Sequence, residues 1–65
     1  MKVLINGHPY ELAADARLPD ALAAIEAKPP FAVALNREFV PRSDYAARTL
    51  KANDQIEVIR PVTGG

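Results

Sequence analysis

The residues best placed to do chemistry in this 65-residue chain are the last two, Gly64 and Gly65. Glycine loses more conformational entropy on ordering than any other residue, so two consecutive glycines contribute little to a core. They offer instead a slim backbone whose terminal carboxylate can enter a channel too narrow for a Cβ atom. The alternative interpretation is a frayed end or a remnant of cloning, because terminal residues are often disordered and carry no function.

Residues 61–65 follow the last predicted strand and would carry this carboxylate away from the fold. Residues 55–60 alternate between polar and apolar side chains as a strand does, and Pro61 stops the pairing. Five extended residues span about 17 Å, enough to reach deep into another protein. We therefore expect a folded domain over 1–60 and a flexible tail over 61–65, in which Thr63 and Gly64 thread into a partner.

No other group of side chains points to catalysis. His8 is the only histidine, and no neighbour in sequence would orient it as a base. The chain has no cysteine, which excludes a disulfide, a thiolate nucleophile and a cysteine metal site. The eight acidic residues, Asp54 among them, lack metal-ligand spacing and are interpreted as solubility and turn residues. We expect no catalytic residue, no metal site and no enzyme activity.

Composition excludes several classes of protein. Eight basic and eight acidic residues cancel, whereas a nucleic-acid binder would carry a basic excess on one face. No apolar stretch approaches the ~20 residues that span a bilayer, and the first residues do not form a signal peptide. A domain of this size without disulfides fits a reducing compartment and has little room for an internal cleft. We expect a cytoplasmic protein that binds neither nucleic acid nor membrane.

The first half of the chain predicts a hairpin and a helix. Strands at 3–5 and 9–12 are joined by Asn6-Gly7, a pair that tolerates positive φ in a tight turn. Leu18, Leu22 and Ile25 then form one apolar stripe, which predicts a helix of about three turns that ends before Pro29-Pro30.

The second half predicts three more strands, at 31–35, 38–40 and 55–60. The first two are joined by a turn at Asn36-Arg37, and residues 43–47 read as one helical turn with Ser43 as its candidate cap. Leu50 is expected in the core, and Asn53 in a left-handed turn. The order β-β-α-β-β-β predicts an α+β protein of the β-grasp, or ubiquitin-like, class. Its mixed sheet would cover one main helix, with the first and last strands adjacent and parallel in the centre.

Strand alternation indicates a candidate docking surface. If the other apolar side chains of the first and last strands face the helix, Leu4 and Ile59 face solvent. These two side chains are expected to lie together on adjacent strands, with Pro61 and Val62 extending the patch into the tail. An apolar patch beside a reactive terminus favours partner docking, although single exposed apolar residues are ordinary.

Several motifs together resemble a known family. Residues 33–45 read VALNREFVPRSDY, Leu50 follows, residues 53–59 read NDQIEVI, and the chain ends in Gly64-Gly65. This pattern is similar to that of the ThiS family, the sulfur carriers of thiamine biosynthesis in the ThiS/MoaD ubiquitin-like group. The similarity covers nearly the whole chain, and its most specific parts are Val-Pro-Arg at 40–42 with an aromatic nearby and the diglycine.

Three positions depart from the family pattern. Arg17 stands where a Ser or Thr usually caps the helix, so the cap is expected to be weaker or to come from Asp15. Asn53 replaces a frequent Gly, and Tyr45 replaces a frequent Trp. The dipeptide Pro61-Val62 is similar to the tail of the MoaD family, which leaves the pathway open between thiamine and molybdopterin.

The resemblance implies a protein co-substrate that binds no cofactor of its own. An E1-like adenylyltransferase, ThiF, would use ATP and Mg²⁺ to adenylate the Gly65 carboxylate, and a persulfide-bearing sulfur donor would convert it to a thiocarboxylate. Thiazole synthase, ThiG, would accept the sulfur. Leu4, Ile59, Pro61 and Val62 would supply the docking contacts.

Three other functions stay open from the sequence. The first is a MoaD-like carrier that supplies sulfur for molybdopterin. The second is a ubiquitin-like modifier that forms an isopeptide bond with a target lysine. The third is a β-grasp interaction module in which the diglycine is incidental.

Overall fold

The computed structural model describes residues 1–60, in which five strands and one α-helix follow the predicted order. The elements are β1 (Lys2–Ile5), β2 (His8–Glu11), α1 (Leu18–Ala24), β3 (Ala32–Leu35), β4 (Glu38–Val40), a 3₁₀ helix (Arg42–Ala47) and β5 (Gln55–Ile59). The strands form one sheet in the order β2-β1-β5-β3-β4, in which β1 and β5 are parallel and the other neighbours antiparallel. The predicted β-grasp sheet, with its first and last strands adjacent, is confirmed.

Both tight hairpins turn on an asparagine with positive φ. Asn6 and Gly7 have φ of 52° and 82°, and Asn36 and Arg37 have φ of 50° and 69°. Two consecutive residues at positive φ give the primed turn whose twist matches that of the flanking strands. Asn53 also has positive φ, 70°, as predicted. The two hairpin turns make β1 a neighbour of β2, and β3 a neighbour of β4.

The core lies between α1 and one face of the sheet. Alternate residues of the strands point into it, so Val3 and Ile5 of β1 and Ile56 and Val58 of β5 are buried as predicted. Leu50 anchors the loop before β5, also as predicted. The complete buried apolar set is Val3, Ile5, Ala16, Leu18, Ala21, Leu22, Val33, Leu35, Val40, Leu50, Ile56 and Val58.

Helix α1 has seven residues, about two turns, so the prediction of three turns was wrong. Glu26 adopts a φ of 51°, and its N–H donates to the Ala23 carbonyl at 3.0 Å. The Ala27 N–H donates to the Leu22 carbonyl at 3.0 Å. These two bonds form a Schellman motif, which closes the helix before the prolines are reached.

The N-terminus of α1 is capped by Asp20, and the proposed cap Asp15 is exposed. The Arg17 N–H donates to Asp20 Oδ2 at 2.8 Å, while Arg17 itself has no side-chain acceptor. Its guanidinium donates instead to the Ala46 carbonyl at 3.2 Å and so ties the start of α1 to the 3₁₀ helix. A capping box has two hydrogen bonds, and this one is the bond between the side chain at N3, here Asp20, and the backbone N–H of the N-cap, here Arg17.

The 3₁₀ helix starts after Pro41 without a side-chain cap, so the assignment of Ser43 as a cap was wrong. Tyr45 of this helix stacks on Phe31, with ring centroids 6.1 Å apart and planes 8° apart. Among residues 1–60, no helix has the length and apolarity needed to cross a bilayer.

Candidate docking surface and the root of the tail

The strand that leads to the diglycine tail is the central strand of the sheet. The five predicted tail residues lie outside the described residues, and they are Pro61, Val62, Thr63, Gly64 and Gly65. β5 lies between β1 and β3, and its last residue, Ile59, is paired with Ala32. The last residue of β5 is therefore held by β3, whereas the strand pairing with β1 ends at Ile56.

Asn6 extends the pairing of β5 beyond the end of β1. Its N–H donates to the Ile56 carbonyl at 2.8 Å, and its Oδ1 accepts from the Val58 N–H at 2.9 Å. The Asn6 side chain thus supplies the acceptor that the backbone of β1 would have supplied if that strand had continued beyond Ile5. Asn6 was predicted only as a turn residue, and this second role depends on the parallel register of β1 and β5, which the local sequence does not specify.

Asp54 holds the other end of β5. Its interpretation as a turn residue is confirmed, because it closes the turn that begins at Lys51, but it is buried and so is not a solubility residue. Its side chain is 9% exposed. One carboxylate oxygen accepts from the Lys51 N–H at 2.7 Å and the other from Asn36 Nδ2 at 3.0 Å. Asn36 Oδ1 in turn accepts from the Gln55 N–H at 2.9 Å. This network joins the β3–β4 turn to the loop before β5.

Leu4 and Ile59 both lie on the sheet face opposite α1. The sequence predicted that they would lie together, and this prediction was wrong. Leu4 is paired with Gln55, and Ile59 is four residues farther along β5, about 13 Å away. Leu4 is half-buried, whereas Ile59 is 56% exposed. The alternation was correct, and the register separates the two side chains. Whether either contacts a partner stays a prediction.

Phe39 is the exposed apolar side chain that accompanies Ile59. It is 71% exposed and is paired with Ala34, which is paired in turn with Glu57. Phe39 was not predicted from the sequence, although Val40 is buried and strand alternation then directs Phe39 to solvent. We call this surface the apolar trough. Its members are Ala32 and Ala34 on the floor, Phe39 on one side, and Glu57 and Ile59 on the other.

The apolar trough continues past the start of β3 into the loop that follows α1. Pro30, Phe31, Ala32 and Ile59 line a shallow depression of about 320 Å³. Ile59 is both a member of this surface and the last residue of β5. A partner seated here would therefore lie directly beside the root of the tail.

His8 is exposed at the first position of β2. Together with Tyr10, Ile25 and Arg60 it borders a depression of about 440 Å³ on the helix side of the sheet. No residue that lines this depression is acidic, so none would orient the imidazole as a general base. Among residues 1–60, no three His, Asp or Glu side chains converge in a manner that would hold a metal.

The model of the ThiS family matches residues 3–65 of this chain. The chain belongs to the ThiS family. Its fold is similar to the crystal structure of a thiamine biosynthesis protein (ThiS) from Geobacter metallireducens, with a TM-score of 0.82 and 28% identity over the whole of both chains. The solution structure of a thiamine biosynthesis protein from the same organism gives a TM-score of 0.80 at 28% identity, covering all of this chain and 88% of the other.

A curated relative is the thiazole synthase of Magnetococcus marinus, which is 36% identical over 66 residues. That alignment covers all of this chain but only 20% of the relative, so the chain spans about a fifth of that protein's length. The resemblance to the ThiS family that was drawn from the motifs is thus confirmed.

Proposed function

We propose that this chain carries sulfur as a thiocarboxylate on Gly65 and donates it to thiazole formation. The observation that carries the proposal is the family match, which runs through the diglycine as well as the folded domain. The structure of residues 1–60 supports it, since the strand that precedes the predicted tail, β5, is the central strand of the sheet.

The first step activates the terminal carboxylate. A Gly65 oxygen attacks the α-phosphorus of ATP on an E1-like adenylyltransferase, pyrophosphate leaves, and a mixed anhydride with AMP is formed. The charge that develops on the phosphates is stabilised by Mg²⁺ and cationic groups of that enzyme. The carrier binds no nucleotide itself and needs only to deliver a carboxylate with no side chain on its α-carbon.

The second step replaces oxygen by sulfur. The terminal sulfur of a persulfide-bearing donor protein attacks the activated Gly65 carbonyl, and AMP leaves. A thiol then attacks the donor sulfur of the resulting acyl disulfide, which releases the thiocarboxylate and leaves a disulfide. The thiocarboxylate is the nucleophile that the acceptor enzyme uses.

The folded domain contributes position and partner contacts. β5 is bonded on both edges, and Ile59 offers an exposed apolar contact at the root of the tail. We assign docking to Ile59 together with Leu4, Pro61 and Val62, and passage through the partner's channel to Thr63 and Gly64. Because Leu4 lies about 13 Å from Ile59, one partner must cover a wide area to contact both.

Thiazole synthase is the acceptor that the comparisons favour. A protein of that name contains a segment similar to this chain over its whole length, and the two solved structures carry thiamine biosynthesis in their descriptions. These findings favour thiazole over molybdopterin as the product that receives the sulfur.

Genetic complementation tests the pathway. Expression of this chain should restore growth without thiazole to a strain that lacks its own ThiS protein. It should not restore molybdenum-cofactor formation to a strain that lacks MoaD. The matched control is the same chain with one alanine added after Gly65, which keeps residues 1–60 intact but displaces the carboxylate. Rescue by the extended chain, or rescue of the MoaD-deficient strain alone, would contradict the proposal.

A further inference from the structure

The apolar trough contains one carboxylate, Glu57, and we infer that the partner seated on this face presents a lysine or arginine to it. The inference rests on the proposed function, because it takes thiazole synthase as that partner. It adds a specific requirement, a cation opposite Glu57, that neither the family match nor the diglycine tail implies.

Glu57 lies in a row that crosses three strands. It is paired with Ala34 of β3, and Ala34 is paired with Phe39 of β4, so about 10 Å separates the Cα atoms of Glu57 and Phe39. Both outward residues of β3 are alanines, Ala32 and Ala34. The carboxylate therefore stands at the side of a trough whose floor has only methyl groups.

The opposite side of Glu57 is also poor in side chains. The pairing of β1 with β5 ends at Ile5 and Ile56, so the turn residues Asn6 and Gly7 lie next to Glu57. Together with neighbouring residues they line a depression of about 400 Å³. Neither neighbouring strand covers the Glu57 carboxylate, which remains exposed.

No cation within residues 1–60 neutralises Glu57. The ion pair found in this part of the chain joins the Met1 amino group to Glu11 at 3.9 Å. Arg60, three residues farther along the chain, borders the depression on the helix side of the sheet together with Val58. The single charge of the apolar trough is thus left for a partner to match.

The charge determines which partner surface can cover the apolar trough. An apolar surface placed over Phe39 and Ile59 would also remove water from Glu57, and a carboxylate that loses water without gaining a partner strongly opposes binding. A guanidinium or ammonium group at hydrogen-bond distance would offset that cost. The fitting surface has aliphatic side chains over the two alanines and one basic side chain at Glu57.

Binding of thiazole synthase from the same organism to full-length Glu57→Gln tests the inference. Glu57→Gln keeps the shape and removes the charge, so calorimetry at low salt should show binding weakened about tenfold. Its affinity should also depend less on NaCl than that of the wild type. The matched control is Glu38→Gln, which removes the same charge from an exposed residue next to Phe39 that points to the opposite face. It should bind like the wild type.

A second variant separates the apolar trough from its charge. Phe39→Asp changes an exposed side chain, so it should fold normally and lose binding at all salt concentrations. The inference is overturned if Glu57→Gln and Glu38→Gln bind equally well, or if the wild type does not bind thiazole synthase. Neither result affects thiocarboxylate formation on Gly65, which requires only the adenylyltransferase and the sulfur donor and is measured separately by mass.

Discussion

Asp54 is the buried polar side chain among residues 1–60, and it fixes the loop from which β5 begins. Its two oxygens accept from Lys51 N–H and Asn36 Nδ2, donors that belong to two different loops. Removal of the carboxylate would take the charged acceptor away from both of these partly buried hydrogen bonds. A hydrogen bond to a charged group contributes more to stability than an average hydrogen bond.

Replacement of Asp54 by alanine should therefore lower the free energy of unfolding by about 1–3 kcal/mol. Urea denaturation followed by circular dichroism measures this change. Asp15→Ala is the matched control, because Asp15 is exposed, and it should change the free energy by less than about 0.5 kcal/mol. Equal effects of the two substitutions would show that the Asp54 network contributes nothing.

Substitutions of Ile59 and Ile56 by aspartate test which apolar residues of β5 belong to the core. Ile59→Asp should reduce binding of the adenylyltransferase while the free energy of unfolding falls by about 1 kcal/mol or less, since Ile59 is 56% exposed. Ile56→Asp places a charge where the side chain is 1% exposed and should prevent folding. Loss of far-UV circular dichroism in Ile59→Asp would show that Ile59 belongs to the core.

At the scale of elements, α1 shows how backbone geometry can override an apolar pattern. Leu18, Leu22 and Ile25 share one face, and the stripe alone predicted a helix that continues past Ile25. The helix ends there because Glu26 takes a left-handed conformation, which usually belongs to glycine. A glutamate at this position gives no sequence signal for a stop, so the length of the helix could not be predicted.

Substitution at Glu26 tests this helix stop. Glu26→Gly removes the Cβ that a left-handed conformation disfavours, whereas Glu26→Ala keeps it. The glycine variant should therefore be more stable than the alanine variant by about 1 kcal/mol. Thermal unfolding measures the difference. A more stable alanine variant would mean that the left-handed stop at Glu26 is absent in solution.

The strands were easier to predict than the helix because alternation and turn chemistry are local. Asn6-Gly7 and Asn36-Arg37 marked both hairpins, and the buried and exposed sides of β1 and β5 followed from their alternation. Register is not local, since it depends on which residues of distant strands are paired. That is why the sequence placed Leu4 beside Ile59, and why it gave no sign that Phe39 borders the apolar trough.

At the scale of the molecule, the central strand β5 and the apolar trough meet at Ile59, just before the predicted tail. β5 leads to the diglycine through the middle of the sheet, and the apolar trough reaches Ile59 at the end of the same strand. A partner that covered the apolar trough would lie beside Ile59, close to the end of the described residues. The fold class followed from the order of the predicted elements, and family membership followed from sequence motifs that span the chain. The acidic and apolar character of the apolar trough could be seen only from the pairing of the strands.

The intact mass of the protein tests the central claim most directly. Purified chain incubated with ATP, Mg²⁺, the E1-like adenylyltransferase and a persulfide donor should gain about 16 Da, the exchange of one oxygen for sulfur on Gly65. Fragmentation should locate the added mass at Gly65, and the chain extended by one alanine should gain nothing. An unchanged mass, under conditions in which a known ThiS protein is converted, would contradict the account.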